Sequence, residues 1–359
     1  MSTRVTIQDI ADELGVSRNT VSKAINNTGI LADATKEKVL RKAAEMGYKQ
    51  FSYADITAFA KETAQPAAMP QGTGSIAMFS SAFLSNSHFA STMLDSFQRE
   101  ISQLGYSLVM YRILSDEMQE LRLPSCFQKE KTAGIICFEL FNYEYCKMLC
   151  DLDIPVLFVD TPVIGNREPL PADCLYMNNQ SHICTLINEM VSRGKSKIGF
   201  VGDYMHCQSF YERYMGYVNA LFLAGIPYQE KYCVIGSEEG PFPSDVIDYS
   251  DYIRYSIAHM QEVPEVFICA NDFVATHVLT ALKEKGLSVP QDVYLCGFDD
   301  SPESTLITPP LTTIHIHTQI MGFSATHLLM SRINQPSLNY RTIYTETDLI
   351  YRESTGDAT

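Results

Sequence analysis

The sequence predicts an α/β protein in which a small all-α headpiece precedes two lobes built on parallel sheets. Three observations predict it. Apolar residues recur at helical spacing up to Met46, a stretch holding Pro66, Pro70, Gly72 and Gly74 follows, and from residue 75 short apolar runs alternate with amphipathic helices. At 359 residues the chain is too long for one simple core and suits a small headpiece with a larger two-lobed body.

In the headpiece, Thr6 can cap a first helix, with Asp9 three residues on closing a capping box, and Ile7, Ile10, Ala11 and Leu14 form its buried stripe. Gly15 breaks the period and Ser17 stands where a second helix needs its N-cap. Val21, Ala24 and Ile25 would face inward on that helix. Arg18, Asn19, Ser22, Lys23 and Asn26 are left on the opposite face, with Thr20 beside them. A helix-turn-helix puts such a face in the major groove, where Arg pairs with guanine O6/N7 and Asn with adenine N6/N7. Arg18 and Asn19 are therefore expected to read bases, while Lys23 and the hydroxyls of Thr6 and Ser17 position the protein on phosphate. Two helices alone also fit a hairpin with a solvated face. A third segment, Asp33 to Met46, with Val39, Leu40, Ala43 and Met46 inward and Gly47 behind it, completes a three-helix miniature core.

Residues 1–50 hold 8 Lys+Arg against 6 Asp+Glu, a net of +2, so the rest holds 19 against 36, a net of −17. Phosphate would repel that body, which confines DNA contact to the headpiece. Ten cysteines lie scattered, mostly in apolar segments, without the spacing of a zinc site or a disulfide framework, and read as reduced core residues. The N-terminus shows no signal-peptide pattern and no run approaches the ~20 apolar residues of a membrane span, so a cytoplasmic protein is expected.

Along the body, Ile76–Phe79 reads as a strand, Phe89, Met93, Phe97, Ile101 and Leu104 as a helical stripe ended by Gly105, and Leu108–Tyr111, Gly134–Phe138 and Ile154–Asp160 as further strands. A second set follows: a helix from Asn178 to Arg193, strand Lys197–Val201, helix Phe210–Ala224 closed by Gly225, and strands at Tyr232–Ile235, Val266–Cys269 and Val293–Phe298. Such alternation means parallel sheets covered on both faces. Ligands of open parallel sheets sit beyond the carboxyl ends of strands. Asp160 ends V-L-F-V-D, Asn271 follows F-I-C-A, Asp299 ends L-C-G-F-D, and Arg213 opens R-Y-M-G-Y on a helix. Two carboxylates, an amide and a guanidinium can pair with neighbouring hydroxyls of a sugar or polyol. Taken singly, each is as well explained as a cap, a turn residue or a solvated charge.

V-T-I-Q-D-I-A-D-E-L-G-V-S-R-N-T-V-S-K-A-I-N from Val5 to Asn26, followed by T-K-E-K-V from Thr35 and G-Y at Gly47, resembles the DNA-binding headpiece of the LacI/GalR family of bacterial repressors. The resemblance continues more loosely almost to the C-terminus. It implies two Rossmann-like lobes of the type I periplasmic-binding-protein kind, joined by three crossings, placed here near Met177, near Pro309-Pro310 and near Gln335-Pro336. The domains would then be a headpiece at 1–50, a hinge and linker at 51–74, an N-terminal lobe at 75–177 plus 310–335, and a C-terminal lobe at 178–309 plus 336–359. It also implies that Asp160, Arg213, Asn271 and Asp299 bind the effector, with Phe83 as an apolar wall. Where the family often has an aromatic beyond Gly236 this chain has Glu238, for which Phe242 could substitute.

The hinge departs most. From Tyr48 the run is Y-K-Q-F-S-Y-A-D-I-T, in which only Ala54 keeps the family pattern, Asp55 replaces its arginine and Thr57 its minor-groove leucine. An aspartate is repelled by a phosphate-lined groove and threonine is a poor wedge, so this hinge is expected not to kink the operator in the family's manner. His315-x-His317 and His206-Cys207 are possible metal ligands, but a packing role is expected, and no metal or cofactor is. No G-x-S-x-G, P-loop or G-x-G-x-x-G occurs, and Asp299-Asp300 lacks a partnered acid, so no catalytic residue is expected. The expectation is a ligand-responsive regulator of carbohydrate-utilisation genes, most simply a repressor, acting as a homodimer on double-stranded operator DNA. The alternative is a small-molecule binding protein whose DNA-binding headpiece is secondary.

Overall fold

The computed structural model describes residues 6–26, 35, 38–39, 42–43, 46, 74–81, 88–236, 242–243 and 246–356. Phe83, Glu238, the hinge and the linker up to residue 73 lie outside the described residues. Contacts divide the chain into two compact units, Met1–Gly72 and Thr73–Thr359.

In the first unit, α1 (Ile7–Leu14) and α2 (Arg18–Asn26) form as their caps dictate. The Asp9 amide donates to Thr6 Oγ1 at 3.3 Å and the Thr6 amide to Asp9 Oδ2 at 2.7 Å, closing the capping box. Gly15 ends α1 at φ +65°, and Ser17 Oγ accepts the Thr20 amide at 3.0 Å to cap α2. Ile10, Ala11, Val21, Ala24, Val39 and Ala43 are buried together, so part of the third segment does complete the miniature core.

In the second unit, one set comprises β1 (Ser75–Ser80), α3 (His88–Gln103), β2 (Ser107–Arg112), α4 (Ser115–Gln119), β3 (Thr132–Phe138), α5 (Tyr143–Cys150), β4 (Val156–Val159) and β5 (Asp173–Met177). The next comprises α6 (Ser181–Ser192), β6 (Ile198–Val201), α7 (Gln208–Leu223), α8 (Val246–His259), β7 (Val266–Cys269), α9 (Asp272–Glu284), β8 (Tyr294–Cys296), α10 (Glu303–Leu306) and β9 (Thr313–Ile316). The chain closes with α11 (Thr318–Asn334), β10 (Thr342–Thr345) and β11 (Thr347–Ile350). The first lobe holds a parallel sheet of order β10-β5-β4-β3-β1-β2; the second holds β6-β7-β8, parallel, beside an antiparallel β9-β11 pair. Strands such as β4 and β7 are buried end to end, as sheets covered on both faces require.

These pairings correct the expected crossings. β9 stays with the second lobe, α11 packs on α3, β10 joins β5 and β11 returns to β9. The second and third crossings therefore fall at His317 and Glu346, not at Pro309-Pro310 and Gln335-Pro336. The prolines mark turns inside a lobe: Pro310 O accepts the Ser354 amide, and Pro336 O accepts Arg332 Nη1 at 3.0 Å in the connection from α11 to β10. The true crossings carry no chain breaker: His317, at φ −77° and ψ 74°, leads from β9 directly into α11, and Glu346 is a single residue between β10 and β11. Two smaller corrections follow. Tyr232–Ile235 contributes only a single bridge, Val234 to Val201, and Cys126 is exposed rather than in a core.

Candidate effector crevice and DNA-reading helix

α2 presents Arg18 and Asn19 exposed at its first turn, with Thr20, Ser22 and Lys23 partly covered. Ser17 and Thr20 hydroxyls lie 2.8 Å apart, and Thr6 Oγ1 donates to Asp9 Oδ2 at 2.8 Å. The capping hydroxyls thus serve the fold as well as any phosphate they meet. Of Asn26 only the helical backbone is described.

In the body, Asp160, Asn271 and Asp299 follow β4, β7 and β8, and α7 brings Arg213 to them. Asp160, Asp299 and Asp300 sit at φ +65°, +109° and +53°. Such backbone costs of order 1–3 kcal/mol for a non-glycine residue and persists only where its surroundings fix it.

The surroundings are specific. Arg213 is 2% exposed; its guanidinium lies 3.5 Å from the centroid of the Phe298 ring, Nε donates to Asn179 Oδ1 at 3.0 Å, and Nη1 donates to Ala270 O at 2.7 Å and to Asp299 Oδ1 at 3.4 Å. Asp299 keeps 25% of its side chain exposed, and burial of the rest pushes its carboxyl up to about 6 against the pull of Arg213. Asp272 lies sealed behind it, accepting Thr313 Oγ1 at 2.6 Å and the Ser301 amide at 2.8 Å. Burial, and then the Asp299 charge, push Asp272 up to about 8. Its neighbour must be glycine, since a Cβ on Gly297 would stand 2.0 Å from Asp272 Oδ1.

Asp160 reaches across from the first lobe. Cys207, at the N-cap position of α7, offers no side-chain cap. Instead Asp160 Oδ1 accepts the Ser209 amide at 3.1 Å and Thr161 O accepts the Gln208 amide, so the first lobe supplies the partners that the first turn of α7 needs. Burial raises Asp160, opposed by hydrogen bonds from Cys207, Thr161 and Ser209 and by the Arg213 charge.

Of the four predicted residues, Arg213 and Asp299 are in contact and Asp160 lies within reach of the same charge. Asn271 is turned aside: its Oδ1 caps α9 by accepting the Val274 amide at 2.9 Å, which leaves Nδ2 to donate elsewhere. Phe242 packs on Tyr249 and Tyr252, with ring centroids 5.0 and 4.8 Å apart, so the suggested substitute wall is taken up by the chain's own tyrosines. His315 Nδ1 pairs with Asp300 at 2.9 Å and His317 Nε2 with Asp348 at 3.1 Å. Among the described residues, no group of three or more His, Cys, Asp or Glu could hold a metal.

Sequence reasoning missed Asn179, Gln208, Glu212, Asp272 and Tyr344. Glu212 was findable, because Ser209, Glu212, Arg213, Gly216 and Ala220 repeat at the spacing of a buried helical stripe. A cavity of about 500 Å³ lies elsewhere, along β2 and the amino end of β1, beside Gly74, Ser75 and Lys131. It gathers no opposed charges, so the crevice at the carboxyl ends of the strands is the better candidate.

Residues 6–50 match the model of the bacterial regulatory proteins of the lacI family, and residues 187–355 that of a periplasmic binding protein-like domain. The HTH-type transcriptional repressor PurR of Vibrio atlanticus is 26% identical over 97% of this chain and 98% of its own length. Among solved structures, a transcriptional regulator CelR–cellobiose complex is 22% identical at a TM-score of 0.67, covering 98% of this chain and 100% of that one. The Lac repressor dimer bound to operator and the anti-inducer ONPF is 21% identical at a TM-score of 0.62, covering 98% and 99%. With its headpiece matched by the lacI-family model, residues 187–355 of its body by a periplasmic binding protein-like domain, and a named repressor aligned over 97% of its length, the chain belongs to the lacI family of bacterial regulatory proteins.

Proposed function

We propose that this chain is a cytoplasmic repressor of carbohydrate-utilisation genes that binds a pseudo-palindromic operator as a homodimer and is controlled by a sugar or sugar derivative held between its lobes. Arg18 and Asn19 read bases; Thr6, Ser17, Thr20, Ser22, Lys23 and Asn26 position the headpiece. Asp160, Arg213, Asn271 and Asp299 bind the effector. The observation that carries this reading is Arg213, held over the Phe298 ring and against Asp299 at the carboxyl ends of the strands. A planar donor fixed beside an acceptor is what paired ring hydroxyls require. Two related features support it: the body matches a periplasmic binding protein-like domain, and a structural neighbour was solved with cellobiose. Effector and operator are coupled only as far as the effector prefers one arrangement of the lobes.

A thermal-shift panel of neutral sugars and sugar phosphates tests the reading, because a ligand at 100 times its Kd adds about 2.7 kcal/mol of stability. The expected result is a shift with at least one sugar in the wild type, lost in Asp299→Ala while operator binding changes less than about threefold. A shift that survives in Asp299→Ala, or no shift with any member of the panel, rejects it.

A further inference from the structure

Glu212 sits on the buried stripe of α7 beside Arg213, is 7% exposed, and is reached by three hydrogen bonds. Asn179 Nδ2 donates to Oε2 at 2.9 Å, while Gln208 Nε2 at 3.2 Å and Tyr344 Oη at 2.9 Å donate to Oε1. The orientation of both amides is set from their far sides. Arg213 Nε can only donate, so it holds Asn179 Oδ1 and turns Nδ2 toward Glu212. The Ile164 amide donates to Gln208 Oε1 at 3.3 Å and does the same for Gln208. Three chains of donors therefore end on one carboxylate: Arg213 through Asn179, Ile164 through Gln208, and Tyr344 directly.

The origins of those chains give the arrangement its meaning. Asn179 stands just past the first crossing. Ile164 and Tyr344 belong to the first lobe, and Tyr344 lies two residues before the third crossing. The Tyr344 ring stacks on Tyr176 at 5.3 Å, and Tyr176 Oη pairs with Thr161 Oγ1 at 2.8 Å, next to Asp160. Accepting from donors at both oxygens needs a carboxylate. An amide in its place would turn its NH₂ toward a donor.

We propose that Glu212 is a positioning residue of the effector crevice: it holds Arg213 through Asn179 and, through Tyr344 and Gln208, fastens that arginine to the opposite lobe. This rests on reading the crevice as the effector site. Glu212 need not touch the effector. It makes the orientation of the effector-binding guanidinium depend on how the lobes are set, so that a ligand that moves Arg213 also pulls on both lobes.

Hydrogen exchange on the full chain without ligand tests it, comparing wild type with E212Q and Y344F. Amides at Ile164 and across Gln208–Arg213 should exchange on the order of tenfold faster in both variants, while β7 keeps its protection. The Arg213 Nε–H signal in nitrogen-proton spectra, assigned by its loss in Arg213→Lys, should shift in E212Q. Unchanged exchange in Y344F, a uniform loss of protection throughout the body, or an unmoved Arg213 signal in E212Q overturns the proposal. Tyr344 is 51% exposed, so Y344F is a mild change that decides the matter if E212Q fails to fold. No effector is present in this experiment. Its failure leaves the effector reading to the sugar panel, and failure of the panel leaves the Glu212 network to stand or fall on exchange.

Discussion

On α2, Arg18 and Asn19 stand exposed beside a cap built from hydroxyls and backbone amides, whereas on α7 Arg213 and Glu212 are nearly sealed and their partners are the chain's own residues. Under the proposed function, the difference follows from what each surface would meet. Bases present their donors and acceptors ready-made in the groove, so a reading helix must keep its side chains solvated until they arrive. A small ligand offers far less surface, and the protein must fix its polar groups beforehand. One consequence is that a ligand entering the crevice competes with internal partners, so binding is tied to rearrangement there in a way it is not on α2.

The largest effect should come from the sealed half of this comparison. An unfolded aspartate titrates near 3.9, whereas Asp272 in the fold is pushed up to about 8 by burial and the Asp299 charge. Between those values the folded chain holds the extra proton. Stability from this group is therefore full at acid pH and falls as pH rises through 8. Urea unfolding should show a decline of about 2–5 kcal/mol between pH 5 and 8.5. Asp272→Asn, which cannot ionise, should flatten most of it. An equal slope in the variant would show that the burial of Asp272 is compensated and that the crevice is less sealed than its geometry implies.

The exposed half is sharpened by a pair of substitutions. Arg18→Ala should weaken the specific operator by about 1–3 kcal/mol and relax preference at one base pair. Lys23→Ala should weaken specific and random DNA alike and reduce the salt slope by about one. Equal losses on both DNAs for Arg18→Ala would remove it as a base reader.

The contrast also explains what was legible. Headpiece helices announce themselves through local chemistry: Thr6 with Asp9, Gly15, then Ser17. Strands β1 to β4 and β6 to β8 were read from their apolar runs, whereas β5, β10 and β11 were not, and Arg213 and Asp299 were read from their places at element ends. The crossings at His317 and Glu346 escaped because each is a single residue, with no proline or glycine to mark where the chain changes lobe. Asn179 and Tyr344 escaped for a related reason: their roles come from partners 33 and 132 residues away, a separation no local pattern encodes. Phe242 shows the converse error, since an aromatic near a site was free to pack on Tyr249 and Tyr252.

The smallest expected effect lies at Thr6, where the two halves of the comparison meet in one residue. Its hydroxyl was expected on phosphate, yet it accepts the Asp9 amide and donates to the Asp9 carboxylate. The Asp9 carboxyl is held below its ordinary value by those side-chain and backbone bonds to Thr6. If the cap is its main task, Thr6→Ala should cost about 1 kcal/mol of headpiece stability, and Thr6→Ser, which keeps the oxygen, much less. Operator affinity should then follow the melting of the headpiece rather than the loss of one contact. It should recover on cooling, and specific and random DNA should be affected in equal ratio. If Thr6→Ala instead lowers affinity for both DNAs at a temperature where the headpiece is fully folded, with a reduced salt slope, the hydroxyl works on phosphate after all.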